Sequence, residues 1–292
     1  MIFKGLYTAL VTPLNKNLTI DTDALEDLIE FQIQNGVTGL VPMGTTGESP
    51  TMNHDEHIRI IEITVNKSAG RVPVIAGTGS NCTDEAVEYT RIAREIGADA
   101  SLQVAPYYNK PTQEGFYRHF SSIADAVDLP VMLYNIQGRS GANIESATVL
   151  KLASHKNICA IKEASGSFSQ FMDIVCKKPD GFSVLSGDDN MAVPFILMGG
   201  SGLVSVASNS IPRKISDMVG YALSGDREKA VDMHYSLMPF FKSLFIETNP
   251  IPIKYVLKRQ GMAEDVYRLP LCEMSGENKK KIDDLLDSLS LF

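Results

Sequence analysis

Short apolar runs alternate with amphipathic stretches over the first three quarters of the chain. The stretches between the runs have helical periodicity, for example from Asp21 to Asn35 and from Asn53 to Ser68, where Asn53 is a suitable N-cap. The runs themselves have the length and β-branched content of strands, and eight of them lie at residues 5–12, 39–44, 73–79, 100–108, 130–135, 158–165, 182–189 and 202–208. Strands that alternate with helices are typical of βαβ units in a parallel sheet.

Eight parallel strands can close into a barrel or form an open, doubly wound sheet. Barrel enzymes collect their active sites from many strands around one end, whereas an open sheet concentrates them at one switch point. The residues that suit a site follow the carboxyl ends of different strands: Thr45, Tyr107, Tyr108, Tyr134, Gly187 and Asp188. We therefore predict an α/β fold, with a (β/α)₈ TIM barrel over residues 1–225 and a C-terminal helical appendage over residues 226–292.

Composition narrows the class of partner. The 292 residues are 44% apolar and 21% charged, which is ordinary for a globular protein, and the formal net charge is −8. This charge disfavours nucleic acid and anionic membranes, so we expect a small metabolite as partner. No apolar run of about 18 residues could span a bilayer, and the first apolar patch, which has no basic leader, predicts a buried strand. Dispersed cysteines indicate free thiols in a reducing cytoplasm, at Cys82, Cys159, Cys176 and Cys272.

Lys162 stands within an otherwise apolar strand. Period-two alternation places it on the same face as Ile158 and Ala160, with Glu163 on the other face. If this face points into the barrel, desolvation favours the neutral amine, which is the form that attacks a carbonyl group. The alternative is a lysine at a strand end that is paired with a neighbouring carboxylate, and this segment alone leaves both interpretations open.

Other segments at strand ends suit the binding of a carboxylate or the transfer of protons. The glycine-rich loop at 44–48 can hold a carboxylate with its amides and hydroxyls, or it can be an ordinary turn. Tyr107, Tyr108 and Tyr134 can relay protons in a water-poor site, or they can be buried phenols bonded to the backbone. Arg139 offers a planar fork for a carboxylate, or it forms a surface ion pair.

Several other patterns do not carry chemistry. His54 and His57 resemble a metal pair, but no third His or Cys lies nearby and the HExxH order is absent, so we predict no metal. Gly77 and Gly79 lack the third glycine of the dinucleotide fingerprint. The glycine run at 199–202 precedes the eighth strand, on the non-catalytic face of a barrel, so packing explains it better than phosphate binding.

Taken in order, the motifs of this chain resemble those of the dihydrodipicolinate synthase family of pyruvate-dependent class I aldolases, which includes N-acetylneuraminate lyase. The resemblance covers essentially the whole chain. It runs through TALVTP at 8–13, GTTGES at 44–49, NHDEH at 53–57, PYYN at 106–109, YN at 134–135 followed by GR at 138–139, IKEASG at 161–166, SGDD at 186–189 and ETNPIPIK at 247–254.

The resemblance implies a lyase that condenses pyruvate with L-aspartate 4-semialdehyde to give 4-hydroxy-tetrahydrodipicolinate, in the diaminopimelate route to lysine. Lys162 matches the lysine that captures pyruvate as a Schiff base, so no metal or organic cofactor is expected. Tyr134 matches the proton-shuttling tyrosine, and Thr45 links the relay. Tyr108 matches the tyrosine that completes the relay from an adjacent subunit, and members of the family are commonly tetramers built from two dimers.

The resemblance also assigns binding residues. The amides of Thr45 and Thr46 correspond to the cradle of the pyruvate carboxylate, and Arg139 corresponds to the residue that binds the carboxylate of the aldehyde. Gly187 and Val204 correspond to residues that line the pocket. Sialic-acid lyases resemble the chain at the lysine and tyrosine but typically lack this arginine, and the chain departs from the family's usual proline at Gln137. The alternatives are another pyruvate aldolase, acting on N-acetylneuraminate or a 2-keto-3-deoxy-sugar acid, and a non-catalytic barrel that senses an amino acid.

A second site is implied by the same resemblance. The residues that match the lysine feedback site of sensitive members are Ser49, His54, His57, Asn81, Glu85 and Tyr107. We expect L-lysine to inhibit the enzyme, with coupling to the active site through the neighbouring Tyr107 and Tyr108. The alternative is that the two histidines only decorate a solvated helix.

Overall fold

The computed structural model describes residues 3–289. The strands in this part of the chain alternate with helices. They are β1 (Gly5–Ala9), β2 (Gly39–Val41), β3 (Ile75–Gly77), β4 (Ala100–Val104), β5 (Val131–Asn135), β6 (Ile158–Glu163), β7 (Ser183–Ser186) and β8 (Gly202–Ser205). Each strand lies within one of the eight segments predicted from the hydrophobic pattern.

The eight strands form one parallel sheet that closes on itself. The strand order is β2-β1-β8-β7-β6-β5-β4-β3, so β2 and β3 are the two end strands. These ends are joined by a parallel bridge between Leu40 and Val74. Two backbone bonds support the closure, from the Leu40 amide to the Pro73 carbonyl at 3.0 Å and from the Gly77 amide to the Pro42 carbonyl at 2.9 Å. The predicted (β/α)₈ barrel is confirmed.

The helices between the strands begin where the sequence places capping residues. Asp21 caps the first helix by accepting a bond from the Ala24 amide, and Asn53 and Glu56 form a reciprocal capping box on the second. Within residues 3–289 the helices are α1 (Thr22–Gln34), α2 (His54–Ser68), α3 (Thr83–Ile96), α4 (Gln113–Ala126), α5 (Gln137–Ser140), α6 (Ser146–Leu152), α7 (Phe168–Lys177), α8 (Ala192–Leu197), α9 (Pro212–Ser224), α10 (Arg227–Ser243), α11 (Ile251–Arg259) and α12 (Gly276–Leu289).

An apolar cluster fills the interior of the barrel. Its side chains come from all eight strands or the residues that flank them, as expected for a packed barrel core. The members include Phe3, Tyr7, Val41, Ile75, Leu102, Met132, Tyr134, Ala160, Leu185 and Val204. Two further clusters lie between the sheet and the surrounding helices. The interior is therefore dry at the level of these residues, and a polar group placed among them is desolvated.

Between Gly225 and residue 289 the regular secondary structure is helical. Gly225 ends α9 in the left-handed conformation, and α10 begins at Arg227. The segments around Asn249-Pro250 and Leu269-Pro270 separate α10, α11 and α12. Every residue from 251 to 257 in α11 is buried, so this helix packs into the molecule. None of the helices between residues 3 and 289 is both long enough and apolar enough to cross a membrane.

Candidate active site

Lys162 and Tyr134 lie side by side inside the barrel. They are partners in the register of β5 and β6, and the Lys162 Nζ atom is 4.1 Å from the centroid of the Tyr134 ring. Both side chains are buried, with Lys162 only 5% exposed. Burial lowers the pKa of Lys162 to about 8, although the charges of Asp188 and Asp189 oppose this change. The lysine is therefore closer to neutrality than an ordinary lysine.

Tyr134 is a phenol held in its protonated form. Burial raises its pKa well above the ordinary value, and the negative charge of Asp188 acts in the same direction. Arg139 and a hydrogen bond with Thr45 act against this rise. A protonated phenol between Lys162 and Thr45 can donate a proton to one group and receive one from the other.

Space for the lysine is provided by the glycine that follows β7. A Cβ atom at Gly187 would lie 2.7 Å from the Cβ of Ala164 and 3.0 Å from the Cε of Lys162. Glycine at this position is therefore required by the close approach of the lysine. Burial raises the pKa of the adjacent Asp188, and the charge of Lys162 lowers it. Asp189 is buried and accepts a bond from the Val206 amide at 3.0 Å, which fixes the loop after β7 to the loop after β8.

The loop that follows β2 is held from two sides. Thr45 begins a single 3-10 turn, and the next residue, Thr46, is buried. The Thr12 hydroxyl donates to the Gly47 carbonyl at 2.7 Å. On the other side, Glu48 adopts the left-handed conformation and forms a buried ion pair with Lys254, at 2.5 Å between Nζ and Oε1. Sequence reasoning missed this pair, although both residues lie in motifs that it quoted.

Arg139 lies on the short helix α5 at the same end of the barrel. Its side chain is exposed at the surface of the site, and its Nη2 atom donates to the Asn249 carbonyl at 3.1 Å. The Asn249 side chain in turn donates to the Thr46 hydroxyl at 3.0 Å. Asn249 is a second residue that sequence reasoning did not single out, because its partners lie more than one hundred residues away in the chain.

A cavity of about 420 Å³ opens at the carboxyl ends of the strands. Of the predicted active-site residues, Thr45, Tyr134 and Arg139 line it. Lys162 does not line the cavity itself, but its Nζ atom lies next to the Tyr134 ring, which does. The same cavity is lined by four of the predicted effector residues, Ser49, His57, Glu85 and Tyr107. The remaining predicted residues do not line it: Thr46, Gly187, Val204, Tyr108, His54 and Asn81.

The part of the cavity beyond Thr45 is polar and aromatic. His57 is buried, with its Nε2 atom 2.7 Å from the Gly77 carbonyl, and its ring stacks on Tyr89 at 4.4 Å between centroids. Burial lowers the pKa of His57, so the ring stays neutral near pH 7. Glu85 accepts a hydrogen bond from the Ser80 hydroxyl. Tyr89 and Ser80 also line the cavity, and sequence reasoning missed both.

His54 lies at the outer edge of this region. Its ring also stacks with Tyr89, at 5.1 Å between centroids, and its Nε2 atom is 3.8 Å from Glu88 Oε1. The two histidines thus share an aromatic partner but have different surroundings, one buried and one exposed. Within the described residues 3–289, no group of three His, Cys, Asp or Glu side chains could hold a metal ion.

Tyr107 and Tyr108 project from the loop after β4. Asn81 donates to the Tyr107 carbonyl at 3.2 Å, and Asn109 donates to the Asn81 carbonyl at 2.9 Å, so the loops after β3 and β4 are tied together. Tyr107 faces the cavity, whereas Tyr108 is 90% exposed and has a φ angle of +71°. A positive φ is unfavourable for a tyrosine. The backbone thus directs the Tyr108 side chain away from its own barrel.

Comparison with known proteins agrees with this geometry. The model of the dihydrodipicolinate synthetase family matches residues 2–289. A curated relative from Methanocaldococcus jannaschii, named 4-hydroxy-tetrahydrodipicolinate synthase, is 49% identical over 292 residues and covers 100% of both chains. A relative of the same name from Endomicrobium trichonymphae is 50% identical over 292 residues, again with 100% of both chains covered.

Solved structures with ligands are similar as well. A chloride-inhibited dihydrodipicolinate synthase from Acinetobacter baumannii complexed with pyruvate has a TM-score of 0.97 at 37% identity, with 99% of each chain covered. The synthase from Cyanidioschyzon merolae with lysine bound has a TM-score of 0.96 at 39% identity, also with 99% of each chain covered. From the buried lysine, the barrel around it and these full-length matches together, the chain belongs to the dihydrodipicolinate synthetase family.

Proposed function

We propose that Lys162 is the amine through which this chain condenses pyruvate with L-aspartate 4-semialdehyde to give 4-hydroxy-tetrahydrodipicolinate. Relatives that match the chain from end to end carry the name of this synthase. The observation that carries the assignment to Lys162 is its position: a buried amine with a lowered pKa, in contact with a buried phenol at the end of a cavity. The reaction is a step of the diaminopimelate route to lysine.

The lowered pKa provides the nucleophile. With a pKa of about 8, about a tenth of the lysine is neutral at pH 7, which is roughly 300-fold more than at the ordinary value of 10.5. The neutral amine attacks the ketone of pyruvate, and loss of water gives an imine. The protonated imine withdraws electrons from the methyl carbon, which allows that carbon to lose a proton and become an enamine. This electron sink is covalent, so the chemistry needs no added cofactor.

The later steps form the carbon–carbon bond and release Lys162 as a free amine. The enamine carbon attacks the aldehyde carbon, which forms the new carbon–carbon bond and an alkoxide that takes up a proton. The amine of the second substrate then attacks the imine carbon and displaces the Lys162 amine, which closes the ring. Each of these steps moves a proton, and Tyr134 is placed between the amine and Thr45 to carry it.

The carboxylates of the two substrates need separate partners. For pyruvate, we assign the amides of Thr45 and Thr46, which lie in a turn fixed on both sides. For the aldehyde, we assign Arg139, whose guanidinium lines the open part of the cavity. We keep Gly187 and Val204 as pocket residues from the family resemblance: Gly187 leaves room for the chain of the lysine, and Val204 is fully buried in the interior cluster.

A borohydride experiment tests the role of Lys162. With pyruvate present, reduction should leave one covalent adduct on Lys162 of the wild-type protein and none on Lys162→Ala. A wild-type protein without an adduct would refute the proposal and would favour a barrel that only senses an amino acid. Turnover with each candidate aldehyde in the same preparation separates the synthase from an N-acetylneuraminate or keto-deoxy-sugar lyase.

We propose that Tyr108 completes the proton relay of a neighbouring subunit. Its exposure and its backbone conformation keep it out of its own cavity, so only a second copy of the chain can use it in a site. Mixing Tyr108→Ala with Lys162→Ala subunits should therefore restore activity, because one site of a hybrid dimer then has both intact residues. If the mixture stays as inactive as its two components, each barrel works alone.

We propose a homotetramer made of two such dimers. An exposed apolar group at α7 and α8 supports a second interface, formed by Met172, Leu197 and Met198. Sedimentation should give four chains for the wild type and two for Met198→Glu, while Tyr108→Ala should leave the four-chain mass unchanged. We also propose that the enzyme acts in the cytoplasm, where pyruvate is produced, and that its barrel and helical region divide near residue 225.

We propose that L-lysine inhibits the enzyme from the polar part of the cavity. Glu85 and the stacked rings of His57 and Tyr89 suit the ammonium group and the aliphatic chain of an amino acid. A structure with lysine bound exists for the similar chain from Cyanidioschyzon merolae. Millimolar lysine should reduce the rate of the wild type, and Glu85→Gln should be less sensitive. Full wild-type activity in millimolar lysine would refute this proposal.

A further inference from the structure

The segment at 247–254 belongs to the family resemblance, but no role follows for it from the sequence. In the structure, Asn249 lies between Thr46 and Arg139. Its Nδ2 atom donates to the Thr46 hydroxyl at 3.0 Å, and its backbone carbonyl accepts a bond from Arg139 Nη2 at 3.1 Å. One residue therefore contacts both Thr46, whose backbone amide we assign to the pyruvate carboxylate, and Arg139, whose side chain we assign to the carboxylate of the aldehyde.

Asn249 lies outside the wall of the cavity. It is 5% exposed and does not line the cavity. Any effect on the reaction must therefore pass through its two neighbours, and Asn249 is a candidate positioning residue.

The backbone on either side of Asn249 is firmly held. The Ile251 amide donates to the Thr248 carbonyl at 2.9 Å, and the Ile251 carbonyl accepts a bond from the Tyr267 hydroxyl at 2.9 Å. One helical turn later, Lys254 forms its buried ion pair with Glu48, two residues beyond Thr46 in the same loop. The segment and the loop are thus clamped together at two points, and Asn249 is the point nearer to the substrates' binding residues.

The side-chain amide of Asn249 is not the group that would give the most stable fold at this position. Its Oδ1 atom is buried and has no hydrogen-bond partner within residues 3–289. An unmatched buried acceptor destabilises a folded protein, and an apolar side chain of similar size would avoid this loss. The two contacts that Asn249 does make both lead to the substrate-binding groups, which indicates a role in the reaction.

We propose that Asn249 is a positioning residue that fixes the spacing between the pyruvate-binding turn and Arg139, so that one side chain sets the affinity for both substrates. This inference rests on the proposed roles of Thr46 and Arg139. Without the amide, the backbone at 249 is no longer tied to the turn, and the carbonyl that holds the guanidinium shifts relative to it.

The test is a separate measurement of KM for each substrate. Asn249→Ala should raise KM for pyruvate and KM for the aldehyde together, each by about three- to tenfold, the range for loss of one hydrogen bond, with a smaller change in kcat. Thr46→Val should raise only the pyruvate value, and Arg139→Ala chiefly the aldehyde value. An unchanged pair of KM values in Asn249→Ala, or a change in only one of them, would overturn the proposal.

Two further variants separate positioning from a loss of folding. Asn249→Asp keeps the shape of the side chain but places a negative charge beside both carboxylate-binding groups, so both KM values should rise more than in Asn249→Ala. Asn157→Ala removes a comparable amide bond, from its Nδ2 atom to the Ala124 carbonyl at 2.9 Å, just before β6 at the amino-terminal end of the barrel. It should reduce thermal stability with both KM values unchanged; a rise of both values here would mean that Asn249 has no special role.

A double variant tests the route of the effect. Thr46→Val combined with Asn249→Ala should raise the pyruvate KM no further than the more affected single variant, because both remove the same hydrogen bond. Additive effects would overturn the proposed route through Thr46. The borohydride adduct on wild-type Lys162 keeps the two proposals distinguishable: its absence refutes the proposed function, whereas its presence with unchanged KM values in Asn249→Ala refutes only the positioning role.

Discussion

Replacing Lys162 with methionine should make the protein more stable while abolishing its activity. The lysine is mostly charged at pH 7, yet its burial against the apolar interior of the barrel outweighs the favourable charges of Asp188 and Asp189. A drop in pKa from the ordinary 10.5 to about 8 corresponds to about 3 kcal/mol of destabilisation, at about 1.4 kcal/mol per tenfold change. Methionine has a similar length and no charge, so Lys162→Met should recover most of this free energy.

The pH dependence of the gain follows from the direction of the pKa change. Because the folded protein holds this proton less tightly than the unfolded chain, the destabilisation is complete below the folded pKa of about 8. It declines as the pH rises from about 8 toward 10.5, where the unfolded lysine also loses its proton, and it vanishes above that range. The advantage of Lys162→Met should therefore shrink across this window.

Urea unfolding followed by circular dichroism measures the difference, with both proteins at one concentration because assembly affects apparent stability. Lys156→Met is the matched control, since Lys156 is an exposed lysine just before the same strand. The control should leave the unfolding midpoint unchanged at every pH. If Lys162→Met is less stable than the wild type at pH 7, or if its advantage is the same at pH 7 and above 10.5, the lysine is not desolvated and the reasoning fails.

Three other outcomes follow from the same site. Lys254→Met should destabilise the fold by about 3 to 5 kcal/mol in urea unfolding, because it leaves the buried carboxylate of Glu48 unpaired; a change below 1 kcal/mol would contradict this. Gly187→Ala should reduce kcat/KM for pyruvate by more than about tenfold, since its Cβ would displace Lys162, whereas Gly220→Ala, with open space around it, should keep wild-type kinetics. The wild-type kcat/KM for pyruvate should rise about tenfold per pH unit below pH 8 and level off above it; a flat profile would show that this amine is not the nucleophile.

The strands and the buried lysine were predictable from the sequence because both depend on local pattern. Period-two alternation placed Lys162 on the face of Ala160, and both point into the barrel. The same alternation was wrong for Ile158, which packs outside the interior cluster because the register of β6 shifts between Ile158 and Ala160. The capping residues Asp21 and Asn53 marked the helix starts for the same reason, since a cap acts on amides within three residues. The family resemblance assigned roles to the other thirteen predicted residues, and seven of these line one cavity.

The contacts that hold the site in shape could not be predicted in this way. Glu48 and Lys254 are 206 residues apart, and Asn249 is 203 residues from Thr46 and 110 from Arg139. No periodicity connects positions so far apart. Tyr108 poses a different problem. We propose that its exposed side chain serves a second copy of the chain, and a role of that kind follows neither from the local pattern nor from a single barrel.

The way the barrel closes has a consequence for how its two ligand regions respond to each other. Seven junctions between strands are ladders, one of them, between β5 and β6, with a register shift, whereas within residues 3–289 β2 and β3 are joined by a single isolated bridge between Leu40 and Val74, with flanking backbone bonds. The loop that begins at Gly44 follows β2, on one side of this junction, and the loop that carries Asn81 follows β3, on the other side. Local opening requires the least free energy where the fewest hydrogen bonds break. A ligand wedged between these two loops can thus shift one against the other while the remainder of the cylinder stays rigid.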